Sequence, residues 1–255
     1  MNPTLAVPEA LRDFFRAHPK LALAFSGGVD SAYLLYAALA CGCDVRPLYA
    51  QSAFQPAFER ADAERMAREL GAEWTVVPLD VLANEDVRRN PENRCYFCKR
   101  AIFAALIAAA RADGFDAIMD GTNASDDAGD RPGMRALEEL GVLSPLRLCG
   151  IAKDEVRALS HAAGLFTWDK PAYACLATRV PAGTPITADM LGRIEGAEAA
   201  LFALGYSDFR VRLFHGAARL QLPAGQMARA VERRGEIREA LGPFFEAVLL
   251  DLKER

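Results

Sequence analysis

The chain has 255 residues, with 30 Lys+Arg against 34 Asp+Glu and a formal net charge of −4. Its 52% hydrophobic and 25% charged residues are the balance of an ordinary globular protein, which excludes a disordered chain, a collagen-like repeat and a long coiled coil. The mildly acidic charge leaves no cationic excess for phosphates, so nucleic acid is not expected as a main partner. The longest uncharged apolar helical run, Ala101–Ala110, is far shorter than the ~20 residues that span a bilayer, and no export signal opens the chain. A cytoplasmic protein without a membrane partner is expected, its six cysteines reduced and left for chemistry, metal or packing.

Leu21–Phe25 reads as a buried strand and Asp30–Ala40 as the helix after it. Val45–Ala50 is the next strand, although it contains Pro47, which cannot donate to a ladder. A helix over Pro56–Leu70 ends at Gly71, and Trp74–Pro78 is a third strand. A long helix spans Pro91–Asp113, with Asn90 as N-cap, Pro91 at the first position and Gly114 just past the end. Asp116–Asp120 is a fourth strand, a fifth is placed at Leu143–Leu146, and the helix Lys153–Ala163 closes at Gly164. Such alternation predicts βαβ units: an α/β fold with a doubly wound parallel sheet covered on both faces. Beyond Pro181 the pattern changes to a helix (Ala188–Leu204), a hairpin of Phe209–Phe214 and Arg219–Leu222 around His215-Gly216, a helix (Ala224–Arg233) and a strand (Phe245–Leu250). The expected organisation is therefore an α/β domain over 1–170, a loop over 171–185 and a small α+β domain over 186–255. Phe244-Phe245 and Val248–Leu250 have few partners in so small a unit, so a homo-oligomer is expected to bury them.

The strongest local signal is Ser26-Gly27-Gly28-Val29-Asp30-Ser31, directly after the first strand and opening the first helix of the sheet. Two glycines let the backbone approach an anion, the helix start offers unpaired N–H groups, and Ser26 and Ser31 add hydroxyls. Asp30 would repel a bare phosphate and so implies Mg²⁺. The segment lacks the lysine of a Walker A loop and the spacing of a dinucleotide fingerprint.

Cys95 and Cys98 form C-x-x-C near the start of the long helix, one turn apart, and Cys175 lies four residues before Arg179 in a Pro-rich loop. A closed zinc site is not expected without a second cysteine pair and with only three histidines. Two small core residues, or three thiolates leaving one iron of a [4Fe–4S] cluster open, are the readings left for C-x-x-C. Cys41, Cys43 and Cys149 read as packing residues.

The Ser26–Ser31 segment resembles the SGGxDS signature of the PP-loop ATP pyrophosphatases. That resemblance implies ATP split between its α- and β-phosphates over the carboxyl ends of the strands, with Ala50, Ser52, Thr122 and Asn123 around the nucleotide beside Ser26, Gly27, Gly28, Val29, Asp30 and Ser31. With NPENRCYFCK (90–99), DGTNASDDAGDRPG (120–133), SPL (144–146), KPAYACLATRVPAGTPIT (170–187) and DFRVRLFHGAARLQLP (208–223), the chain from about residue 10 onward resembles the LarE family of ATP-dependent sulfur transferases. The family contributes to the nickel-pincer nucleotide, and its substrate is pyridinium-3,5-biscarboxylic acid mononucleotide. The resemblance implies adenylation of a substrate carboxylate, thioester formation at Cys175, and either sacrifice of the Cys175 sulfur or delivery of sulfide from a cluster on Cys95, Cys98 and Cys175. It also places Arg179, Arg210 and Arg212 on the substrate phosphate, and it leaves Asp126, Asp127 and Asp130 either to Mg²⁺ or substrate positioning or to a polar turn. A tRNA-thiolating enzyme and an amide-forming synthetase are the rival readings. The first would need a basic RNA-binding extension, and the second would have no use for a cysteine beside an arginine.

Overall fold

Leu21 and Leu23 of strand β1 (Lys20–Ala24) join one apolar core and Ala22 joins another, as alternation along a strand requires. Both faces of the sheet are therefore covered. The computed structural model describes residues 7–126 and 131–255. Its chain clusters into two units: the first takes the residues up to Ser52, Ala57–Val81 and Asn93–Lys170, and the second takes Ala53–Pro56, Leu82–Glu92 and Pro171–Arg255.

In chain order the first unit holds α1 (Glu9–Ala17), β1, α2 (Val29–Ala40), β2 (Asp44–Gln51), α3 (Ala57–Glu69) and β3 (Thr75–Pro78). The short helix α4 (Glu85–Arg88) belongs to the second unit. The first unit resumes with α5 (Arg94–Ala112), β4 (Ile118–Met119), α6 (Arg131–Glu139), α7 (Pro145–Leu148) and α8 (Lys153–Ala162). Its four strands are all parallel in the order β3-β2-β1-β4. One face carries Leu11 and Phe15 of α1, Leu34 and Leu35 of α2, Met66 of α3 and Val156 of α8. The other carries Phe103 and Leu106 of α5 and Leu137 of α6. α2 is apolar nearly all round because it lies between the sheet and the outer helices α1 and α8. The sheet is the doubly wound parallel α/β class that the alternation predicts.

Two local readings change, and the strand through Pro47 does form. No fifth strand forms at 143–146: Leu143 makes a single parallel bridge to Met119, and Pro145 at a first-turn position opens α7 instead. Pro47 sits inside β2, which is an interior strand. In β2, Asp44 N donates toward the β1 side, so the missing Pro47 donor faces the β3 side, where pairing begins only at Leu48. Asn90 does not cap the long helix. α5 starts at Arg94, while Asn90 takes a left-handed φ of 54° within the second unit.

The second unit contains α9 (Ala188–Ala203), β5 (Arg210–Phe214), β6 (Ala217–Gln221), α10 (Ala224–Glu232), α11 (Arg234–Leu241) and β7 (Val248–Leu250). β5 and β6 form the expected hairpin, turned by His215 and Gly216, both at positive φ. β7 adds parallel to β6. Phe245, expected at an exposed edge, is buried within the unit.

α9 carries two glycines with opposite surroundings. A Cβ on Gly196 would stand 2.3 Å from the Phe244 ring, whereas one on Gly192 would meet nothing within 4 Å. Gly196→Ala is expected to lower stability by ~1–3 kcal/mol through overpacking. Gly192→Ala should raise it by ~0.5–1 kcal/mol through helix propensity. Denaturant unfolding of the two variants checks the signs.

Candidate functional site

In the first unit the chain leaves β1, builds outward to β2 and β3, then returns to place β4 on the other side of β1. The carboxyl ends of β1 and β4 are thus the topological switch point, where open α/β sheets bind ligands. The turn Ser26–Ser31 follows β1 there, and Gly121-Thr122-Asn123 follows β4. The two segments touch: a Cβ on Gly121 would lie 3.0 Å from Ser31 N. Gly27 has φ 72°, and a Cβ on it would stand 2.8 Å from Ala63 N, so this position demands glycine. Gly28 caps α2 without a side-chain acceptor. The Ser31 hydroxyl donates to Gly28 O and lies 3.1 Å from Ser26 Oγ. The opening of α2 thus has the glycine-lined helix start and hydroxyls that anion binding requires.

Asp30 stands in the first turn of α2, where an approaching anion would meet it. Its carboxylate accepts from Asn123 Nδ2 at 3.3 Å and is ion-paired with Lys153 Nζ. Lys153 opens α8, and its backbone N donates to Ser125 Oγ at 3.0 Å. A second lysine, Lys170, reaches Gly27 O at 3.5 Å and pairs with Asp62 at 2.7 Å. Sequence reasoning missed both lysines. A signal existed for one: a lysine at the first position of a helix opposes the macrodipole and calls for a local reason. Asp126 Oδ2 accepts from Asn123 N at 2.8 Å, which makes it part of the turn after β4. Asp127 and Asp130 lie outside the described residues. Ala50 and Ser52 lie at and just beyond the carboxyl end of β2. Asp120, also missed, is buried behind the turn and accepts from Thr122 N, Thr122 Oγ1 and Ser144 Oγ.

In the second unit Cys175 is the residue before a 3-10 turn, Leu176–Arg179. Arg179 is fully buried and forms a forked ion pair with Glu198 of α9, at 2.9 and 3.2 Å. Its remaining donors go to Ala174 O at 2.7 Å, Thr178 Oγ1 at 2.9 Å and Cys175 O at 3.4 Å. In this structure Arg179 thus faces the protein's own oxygens and shapes the Cys175 turn. Arg210 donates to Phe209 O and Ala172 O and lies over the Tyr173 ring. Arg212 reaches Thr178 O at 2.7 Å and also bonds Gln221. Arg255 donates to the same Ala172 carbonyl at 3.2 Å. Burial, and then the Arg179 charge, push Arg210 down to about 10 and lower Arg212 and Arg255 as well. With Arg219 the group has five guanidinium ions against the carboxylates of Glu198, Asp208 and Asp251. Such a cluster favours a multiply charged anion. Arg255, Tyr173 and Glu198 carried no motif signal, because only the fold brings them to Arg210.

Cys95 and Cys98 stand in the first turn of α5, in the first unit, with Arg94 Nη2 at 3.7 Å from Cys95 Sγ. Cys175 belongs to the second unit. Among the described residues, no set of three His, Cys, Asp or Glu side chains is gathered to hold a metal ion. Burial raises the thiols of Cys41, Cys43 and Cys149, Cys43 to about 11, as packing cysteines require. No helix among the described residues is long and apolar enough to cross a membrane.

The chain has a doubly wound, PP-loop-like α/β unit with a glycine turn at its switch point, and a small C-terminal α+β unit. No protein-family model matches the chain. It is 34% identical over 248 residues, 95% of its length and 88% of the relative's, to pyridinium-3,5-bisthiocarboxylic acid mononucleotide synthase of Lactiplantibacillus plantarum. It is 39% identical over 251 residues, 96% of this chain and 93% of the relative, to the uncharacterized protein slr1717 of Synechocystis sp.. A third relative, the uncharacterized protein MJ0830 of Methanocaldococcus jannaschii, is 25% identical over 95% of this chain and 93% of its own. The chain belongs to the LarE family, that of the Lactiplantibacillus synthase.

Burial raises the Asp120 carboxyl above the usual carboxylate range, against the pull of its three hydrogen bonds. A raised folded-state pKa means that the native state holds its proton longer than the unfolded chain does. Stability then falls as pH rises from about 4 to the raised value, and is flat above it. In Asp120→Asn the amide can keep all three contacts, because Thr122 Oγ1 can accept as well as donate. The variant is expected to match or exceed the parent by ~1 kcal/mol at neutral pH and to lose that acid-side slope. Unfolding measured from pH 4 to 8 checks this, and an unchanged slope would assign the titration to another group.

Proposed function

We propose that the protein is an ATP-dependent sulfur transferase that converts carboxylates of pyridinium-3,5-biscarboxylic acid mononucleotide to thiocarboxylates. The observation that carries the reading is Cys175 on a turn built by a buried arginine in an arginine cluster, in a chain that also has an anion-binding turn at its switch point. ATP lies on the N–H groups and hydroxyls of Ser26–Ser31, with Ala50, Ser52, Thr122 and Asn123 beside it. Asp30 would hold Mg²⁺, an ion that needs only one or two carboxylates besides phosphates and water. Mg²⁺ supplies charge neutralisation at the phosphates.

The substrate carboxylate attacks the α-phosphorus, and pyrophosphate leaves toward Lys153 and Lys170. The carboxylate is a poor acyl donor until this adenylation. The Cys175 thiolate then attacks the acyl carbon and AMP leaves, giving a thioester. Removal of the Cys175 Cα proton breaks the Cβ–S bond. The sulfur stays with the product as a thiocarboxylate, and dehydroalanine remains at position 175. Arg210 and Arg212 take the substrate phosphate, and a dianion between them relieves the repulsion and desolvation that lower both. The edge strand β7, with Leu249 exposed, supports a homo-oligomer.

A [4Fe–4S] cluster on Cys95, Cys98 and Cys175 would need three thiolates together. Among the described residues no such set of three is gathered, and no step is routed through it.

With ATP and the pyridinium dicarboxylate, the protein is expected to release AMP and pyrophosphate, and ADP with free phosphate would overturn the assignment. Cys175→Ala should keep AMP formation within about twofold and lose sulfur transfer entirely. After one turnover the intact mass should fall by one H₂S equivalent. Unchanged mass, repeated turnover with added sulfide and iron in anaerobically purified protein would install the cluster route instead. Arg210→Ala should weaken the mononucleotide by ~2–3 kcal/mol and leave ATP binding unaffected; titration calorimetry with each ligand reads the difference.

A further inference from the structure

Asn90 is nearly fully buried at 3% exposure, and at φ 54° it holds the left-handed conformation that non-glycine residues rarely adopt. It sits in Leu82–Glu92, a stretch that the second unit draws from the middle of the first unit's sequence. Its Nδ2 donates to Pro181 O at 2.9 Å and Val180 O at 3.4 Å. Its carbonyl accepts from Gly183 N at 2.8 Å, and two residues earlier Arg88 O accepts from Ile186 N at 2.8 Å. These contacts fasten the chain immediately after the Cys175–Arg179 turn. The turn has two further fastenings: the Arg179 guanidinium on Ala174 O and Cys175 O, and Leu176 N on Phe54 O at 2.9 Å, Phe54 lying in the unit's other borrowed stretch.

The Cys175 turn is thus fastened within by Arg179 and, from sequence-remote stretches, by Phe54 at Leu176 and by Arg88 and Asn90 just past Arg179. An asparagine that only stabilised a loop would not need to place a buried carboxamide on the two carbonyls that follow the reactive turn. We propose that Asn90 is a positioning residue for Cys175: it fixes the Val180–Pro181 end of the turn so that the thiol meets the adenylated carboxylate before water does. The inference rests on the reading of Cys175 as the nucleophile that displaces AMP. A displacement of about 1 Å in such a nucleophile costs on the order of 10²-fold in rate. The adenylation step does not involve Cys175 and should not respond.

The experiment uses Asn90→Gly in the full chain, because glycine accepts the left-handed φ and removes only the carboxamide. AMP formation with ATP and the pyridinium dicarboxylate should stay within about threefold, while thiocarboxylate per AMP falls tenfold or more as the acyl adenylate is lost to water. The rate at which iodoacetamide alkylates Cys175, followed by peptide mass, should change in Asn90→Gly without any substrate present. Hydrogen exchange should quicken at residues 176–186 and nowhere in the first unit. Asn90→Asp, which keeps the shape but loses the two N–H donors, should behave as the glycine variant does. Equal loss of AMP formation and sulfur transfer, or a wild-type ratio of the two with unchanged alkylation, would overturn the proposal. If Cys175→Ala itself still transfers sulfur, the reading of Cys175 falls instead, which separates the two failures.

Discussion

Two charges taken out of water are stabilising together only when their remaining donors and lone pairs are also satisfied. The Arg179–Glu198 pair meets that condition. The guanidinium reaches three further oxygens of the Cys175 turn, and Glu198 also accepts from Val211 N at 3.0 Å and from the Tyr173 hydroxyl. One ion pair thereby ties α9, β5 and the reactive turn to a common point. It also sets the electrostatics of the unit. The Arg179 charge is the largest charge effect, after burial, that lowers Arg210, Arg212 and Arg255. The cluster stays an attractive anion site because only part of its charge is cancelled.

The first unit meets a different constraint with the same economy of parts. An anion-binding turn needs bare N–H groups and close backbone approach, so Gly27 and Gly121 stand where any side chain would strike a neighbouring segment. The acid in that turn is part-buried, and its charge calls for a partner. Lys153 supplies the charge from the start of α8, and Asn123 from after β4 supplies a hydrogen bond. Two segments, 93 and 123 residues further along the chain, thus meet at the Asp30 carboxylate, at the edge where a doubly wound sheet opens.

The regular elements were legible because their cause is local. Period-2 apolar runs, a glycine after each helix and a helix start after a buried strand give β1 to β3, α2, α3 and α8 within a few residues. The places where the reading failed share one feature. Asn90 has the composition of a cap and Leu143–Leu146 that of a strand, but neighbours distant in the chain claim the first and a proline at a helix start redirects the second.

Composition, periodicity and the Ser26–Ser31 turn determined the α/β class, the glycine turn opening α2 and the presence of a separate C-terminal unit, since each follows from residues adjacent in the chain. The resemblance of several spaced motifs determined the family. Tertiary structure alone decided that Arg179 grips Glu198 and the Cys175 turn, that Lys153 neutralises Asp30, that Asp120 is buried against Thr122 and Ser144, and that Asn90 fastens the segment after Cys175. The physical reason is the same for all four. A buried polar group must find its partner wherever the fold places one, and one sequence carries no record of that pairing.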